Sequence, residues 1–91
     1  MATPFDFAFD EAKSRANKEK HGIDFVEAQA LWLDERLVQA KTRSIHEERF
    51  VVVGRIAGKH WSAFMTIRGG MIRLISVRRS RESEVRQYEG E

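Results

Sequence analysis

Three runs rich in alternating or β-branched residues stand back to back between residues 49 and 80, separated only by Ala57-Gly58 and Gly69-Gly70. No other feature of the chain restricts its fold as tightly. A Gly-Gly pair between two alternating runs is a strong hairpin signal, because a two-residue turn needs positive φ at its centre. RFVVVGRI (49–56), KHWSAFMTIR (59–68) and MIRLISVRRS (71–80) therefore read as three strands of an antiparallel meander. Residues Leu37 to Ala40 read as a short strand before them.

The first third of the chain carries a different period. FDFAF (5–9) alternates and suggests a short edge strand. Asp10 then has the character of a helix N-cap, and EAKSRANKEKH (11–21) runs in good helix formers to Gly22, a natural C′ residue. The only apolar residues of that helix are Ala12 and Ala16, so it belongs on the surface. Asp24 and Glu27 form a capping-box pattern, Ile23 can staple onto Ala28, and Phe25, Ala28, Leu31 and Trp32 mark a core-facing stripe. The tail from Ser80, a candidate N-cap, resumes helical character and offers only Val85 and Tyr88 as apolar anchors. The expected order is β-α-α-β-β-β-β-α. That order describes a single α+β domain over residues 1–91, two layers thick, with an antiparallel sheet, two N-terminal helices and a C-terminal helix.

Strict alternation puts Arg49 and Arg55 on one face of the first run and His60, Phe64, Thr66 and Arg68 on one face of the second. In the third run it groups Arg73, Ile75, Val77 and Arg79 against Ile72, Leu74, Ser76 and Arg78. Both faces are apolar at the centre. Arg49, Arg55, Arg68, Arg73, Arg78 and Arg79 emerge at strand ends, where sites are commonly built. The charge balance points the same way. Residues 1–35 hold eight acids against four bases, whereas residues 36–91 hold twelve bases against six acids. Eleven of the sixteen bases are Arg, the side chain suited to forked contact with phosphate. A basic region of this kind is the footprint of a polyanion-binding surface.

Several chemistries lose their support at this level. The chain has no Cys, which removes disulfides, thiolate zinc sites and cysteine nucleophiles. His21, His46 and His60 have no metal-ligand spacing, so neither a metal nor another cofactor is expected. No Walker loop or G-x-S-x-G is present. The N-terminus has acids where a signal peptide needs bases, and no apolar run reaches membrane length, so a soluble, cytoplasmic protein is expected.

Metal-free RNA cleavage fits what remains, because RNA carries its own nucleophile. The reaction needs a base for the 2′-hydroxyl, an acid for the leaving oxygen and cations for the phosphorane. Glu48 is a candidate base, and Arg49, Arg68 and Arg78 are candidate phosphate clamps. His21 closes a helix beside Lys20, where the dipole favours imidazolium and an acid or phosphate-binding role. Tyr88 either stacks on a base or anchors the tail helix. A binding module without catalysis and a protein-interaction domain remain as alternative readings of the same arginines.

The string from Phe9 to Ala28, FDEAKSRANKEKHGIDFVEA, resembles the opening of BrnT-type toxins. The resemblance continues through EERFVVVG (47–54), TIRGGMIRLISVRRSRE (66–82) and RQYE (86–89), with residues 34–46 matching loosely. It implies a ribonuclease toxin of a type II toxin–antitoxin system with a RelE-like fold. It further implies a cognate BrnA-like antitoxin of ribbon-helix-helix type, through which alone the complex meets DNA and represses its operon. The family's pattern falls on Lys20, His21, Glu48, Arg49, Arg68, Arg78, Arg79 and Tyr88, with Arg55 and Arg73 added from the strand ends as RNA contacts. The chain departs from the family at Met65, where an aromatic is common, and at Val77 and Ser80, where Ala is common.

Overall fold

A computed structural model describes residues 5–43 and 47–90, so His46 lies outside the described residues. The elements follow the expected order: β1 (Phe7–Ala8), α1 (Glu11–His21), α2 (Phe25–Ala28) running into a 3₁₀ turn (Gln29–Leu33), β2 (Val38–Thr42), β3 (Arg49–Ile56), β4 (Lys59–Arg68), β5 (Met71–Arg79) and α3 (Glu82–Glu89). The strands form one sheet in the order β1-β5-β4-β3-β2. The meander is antiparallel, but β1 pairs with β5 in parallel, so the sheet is mixed rather than antiparallel throughout. Both hairpin turns have positive φ at their two central residues, and Gly69-Gly70 takes this without strain.

Local chemistry explains the helices. Asp10 accepts the Lys13 N–H at 3.0 Å, and Gly22 closes α1 in the left-handed region. Asp24 and Glu27 form the full capping box expected of α2. At α3, by contrast, Arg81 and not Ser80 is the N-cap residue, and its N–H donates to Glu84 Oε1 at 2.8 Å. Ser80 instead shares a hydrogen bond with Ser62.

The buried side of α1 is polar. Ser14 Oγ accepts the Phe25 N–H at 2.9 Å, which fixes α2 against α1. Asn17 donates to the carbonyls of Ile23 and Val77 and accepts the Val77 N–H, at 2.8, 2.9 and 3.2 Å. The partnership has a topological cause. β1 pairs only with Ile72 and Arg73, so the outer edge of β5 is open beyond them, and the Asn17 amide serves as the missing strand at Val77.

A register shift sorts the two faces. Phe64 stands opposite Ser76, yet Met65 stands opposite Leu74, which leaves Ile75 as the extra residue of a β-bulge. The strict alternation expected along β5 is therefore broken. Ile72, Leu74 and Val77 share the core face with Val52, Ala63 and Met65, beneath Phe25, Ala28 and Leu31. Arg73, Ser76 and Arg78 share the opposite face with Thr66, Phe64 and Ser62. That grouping replaces the one in which Arg73 lay with Val77. Met65 is a core residue.

The layering also differs from the expected pair. α3 lies on the face opposite α1 and α2, and none of its residues is fully buried. Polar contacts fasten it. Glu84 takes both arms of the Arg78 guanidinium at 2.8 Å each and the Ser62 hydroxyl at 2.9 Å. Tyr88 donates to Asp34 Oδ2 at 2.8 Å, and its ring meets the edge of His60. Burial alone raises the Glu84 carboxyl, but the Arg78 fork, the Arg81 N–H and Ser62 outweigh it and hold its pKa at about 2.

Two outcomes follow. Asn17→Ala strands backbone groups of Ile23 and Val77, and denaturant titration is expected to show a loss of about 2–3 kcal/mol. Glu84 is charged in the folded chain well below its unfolded pKa near 4.5, so its contribution is complete above that pH and fades as pH falls from 4.5 towards 2. Helix content followed by circular dichroism is expected to drop through that window, and Glu84→Gln is expected to flatten the transition while costing about 2 kcal/mol at neutral pH.

Candidate active site

The face turned away from α1 is divided. α3 covers the end containing Val53, Ser62 and Arg78, and the other end is open. Across the open half, Thr42, Arg49, Thr66 and Arg73 lie abreast on β2, β3, β4 and β5, as the strand registers dictate. Arg68 projects from the same face two residues beyond Thr66. Thr66 is buried beneath the arginines, and its hydroxyl donates to the Glu48 carbonyl at 2.7 Å, which pins the start of β3 to β4.

Glu47 organises the cations. Its Oε2 accepts from Arg68 at 2.7 Å and its Oε1 lies 3.5 Å from Arg49 Nε. Arg68, then Arg49, hold its carboxyl below the usual carboxylate range. Glu48 is more exposed and pairs with Lys41 at 2.6 Å, and Lys41 stands opposite Phe50, so this pair belongs to the core side of the sheet and not to the open face. Sequence reasoning singled out Glu48 and passed over Glu47 and Lys41. The signal was present, since Glu47 is two residues before Arg49 and shares its parity.

Arg78 borders this half. It stands over the Phe64 ring at 5.1 Å while its guanidinium is held by Glu84. Phe64, half-buried, is the aromatic of this face, whereas Met65 points into the core. The structure thus brings Arg49, Arg68 and Arg73 together with Glu47 on the open half, with Arg78 adjoining and Glu48 at the same end of the sheet on its other side.

The remaining candidates lie elsewhere. Asp10 at the start of α1 is within electrostatic reach of Arg73, and Asn17 grips Val77, so α1 runs alongside β5 and carries Lys20 and His21 towards the Arg79 end. Neither Lys20 nor His21 makes a hydrogen bond or ion pair with another described residue. Arg79 lies over Trp61 at 5.5 Å and donates to the His60 carbonyl. Arg55 and Tyr88 line a depression of about 520 Å³ at the far end, around Asp34. Asp34 there accepts from the backbone of Arg36 and Arg55 and from Tyr88, which outweighs its burial and lowers its pKa. Burial, then Asp34, raises the Tyr88 phenol.

Among the described residues no three His, Cys, Asp or Glu side chains converge to hold a metal, and no helix is long and apolar enough to cross a membrane. What the open half provides is an arginine cluster gathered around the Glu47 carboxylate, an arrangement matched to phosphodiester chemistry.

Comparison with known proteins agrees. Residues 9–84 match the family model described as the ribonuclease toxin, BrnT, of type II toxin–antitoxin systems. No curated protein matches the chain. The match includes α1, α2, the whole meander and the first turn of α3. A family of this description implies an RNA substrate and an antitoxin partner. The chain belongs to the BrnT family of ribonuclease toxins.

Proposed function

We propose that this chain is a metal-independent endoribonuclease toxin that cleaves RNA on the open half of its sheet. The observation that carries the reading is the row Arg49–Thr66–Arg73, with Arg68 beside it and the Glu47 carboxylate at its rim. Arg49, Arg68 and Arg73 receive the scissile phosphate and stabilise the charge that builds on its oxygens. Glu47, beside Arg49 and Arg68, takes the proton of the 2′-hydroxyl, whose oxygen attacks phosphorus. The bond from phosphorus to the 5′-oxygen breaks, and a solvent water protonates that leaving oxygen. The products are a 2′,3′-cyclic phosphate and a 5′-hydroxyl, and Glu47 returns its proton to the hydroxide left by that water. Phe64 stacks on a flanking nucleotide, and Arg78, held by Glu84, backs the ring. Lys20, His21, Arg55, Arg79 and Tyr88 are outer RNA contacts in this scheme.

The setting completes the reading. Residues 1–91 act as one toxin domain, and α1 and α2 packed on one face of a five-stranded sheet support a RelE-like fold. The partner is a BrnA-like ribbon-helix-helix antitoxin in the cytoplasm, and DNA is contacted only through it. A non-catalytic nucleic-acid-binding role is the second reading, favoured by one observation. The chain direction places His21 at the far end, so no described imidazole reaches the open row.

Cleavage of RNA is expected to persist in excess EDTA, and loss of activity on chelation would overturn the metal-independent scheme. Arg49→Ala, Arg68→Ala and Glu47→Gln are each expected to lower the cleavage rate about a hundredfold with the circular dichroism spectrum intact. His21→Ala is expected to leave the rate nearly unchanged. Steeply salt-dependent RNA binding with no cyclic-phosphate product from the unaltered protein would decide for the second reading.

A further inference from the structure

Among the described residues β2 is the last strand of the sheet, and no further strand pairs with its outer edge. Which of its backbone groups face outward follows from the β3–β4 hairpin. Its two-residue turn makes Ile56 and Lys59 a hydrogen-bonded pair, so the neighbouring Arg55 addresses the β2 side. The Arg55 N–H does donate that way, to Asp34 Oδ2 at 2.8 Å. By alternation Val53, Val51 and Arg49 also address β2, and their partners Val38, Ala40 and Thr42 bond inward. Gln39 and Lys41 therefore turn both N–H and C=O away from the sheet.

Open strand edges are normally guarded by charge, Pro, a bulge or a cover. The one charged side chain of β2 is Lys41, and Glu48 holds it at 2.6 Å. Beside the edge, on the face that α3 shares, Val38, Ala40, Val51, Val53 and Gln87 surround a trough of about 160 Å³. The trough is mostly apolar and has the size of one or two aliphatic side chains. At the other end of β2, Thr42 stands directly opposite Arg49, with Arg43 next in the chain.

We propose that the antitoxin docks by adding an extended segment to β2 as a sixth strand. Main-chain bonds to Gln39 and Lys41 supply the pairing. An apolar side chain of the segment fills the trough between β2 and α3, and an acidic side chain at the Thr42 end meets Arg49. This occupant suits the surface because the cationic end of β2 is continuous with the Arg49–Arg68 cluster. A segment laid along the edge closes the RNA site without entering it. The inference rests on the toxin–antitoxin reading.

The experiment uses the full-length chain and its purified cognate antitoxin. Amide exchange is measured in the free chain and in the complex, and affinity is measured for two variants. Gln39→Pro removes an outward N–H and no β2–β3 bond, and Ala40→Gln fills the trough. The amides of Gln39 and Lys41 are expected to become protected in the complex, and each variant is expected to bind at least about tenfold more weakly while cleaving RNA as before. If Gln39→Pro fails to fold, the exchange result and Ala40→Gln decide. Unprotected amides in a complex that forms, or unchanged binding by the variants, would overturn the strand addition and leave the toxin–antitoxin reading intact. Protection of the same amides in the free chain as its concentration rises would overturn it in favour of a second copy. No binding by the unaltered chain would overturn the toxin–antitoxin reading itself.

Discussion

The side-chain amide of Asn17 completes the sheet, and the arrangement of the other elements depends on that contact. β1 is two residues long and pairs with only the start of β5. A longer first strand would have covered the whole edge and pushed α1 away. Asn17 instead bonds to both backbone groups of Val77, so α1 lies against the edge it protects. Its third bond, to Ile23, and the Ser14 bond to Phe25 bring α2 over the core face. Buried amides are costly when unpaired, so this small network tolerates few alternative positions for the helix. Both N-terminal helices are thereby committed to one face, and the open half of the other is left to the arginines.

On that second face, carboxylates hold the guanidinium groups in place. Exposed ion pairs contribute about 0–1 kcal/mol, so the grip of Glu47 on the half-exposed Arg49 and exposed Arg68 is weak. An incoming phosphodiester, equal in charge to the Glu47 carboxylate, can take over those donors at little cost, and the added charge of the phosphorane strengthens the contact. The Arg78–Glu84 pair is more enclosed and has two short bonds, with Ser62 as a third partner. It exchanges partners far less readily. The same residue type therefore has two uses on one surface: loosely held arginines in the open half and a tightly held one beneath α3.

Much of this was legible in the residues. The glycine turns, the β-branched runs, Asp10, Gly22 and the Asp24–Glu27 box specify local conformation through sterics and capping, which act over a few residues. The direction of β1 was not legible, because parallel pairing with β5 is decided by the position of α1, a contact made across about sixty residues by Asn17. The buried side of α1 also escaped notice, since a search for apolar periodicity passes over Ser14 and Asn17. Glu84 could be read as a helix former but not as the partner of Arg78, because that pairing depends on which face α3 covers. The candidate site was half visible. Arg49, Arg68 and Arg73 follow from strand ends, while the separation of His21 from them depends on the course of α1.

The bulge at Ile75 bears on how the chain can vary between relatives. In a strand, loss of one residue ordinarily exchanges inward and outward side chains for the rest of its length. β5 carries one residue more than alternation requires. Removing either Leu74 or Ile75 would leave an unbroken alternating run in which an apolar residue and Val77 still face inward, and Arg73 and Arg78 still face outward. This is the place in β5 where length can drift without mixing core and arginines. Bulges also increase local twist, so Ile75 sets the angle at which Arg73 and Arg78 diverge and not the side on which they stand.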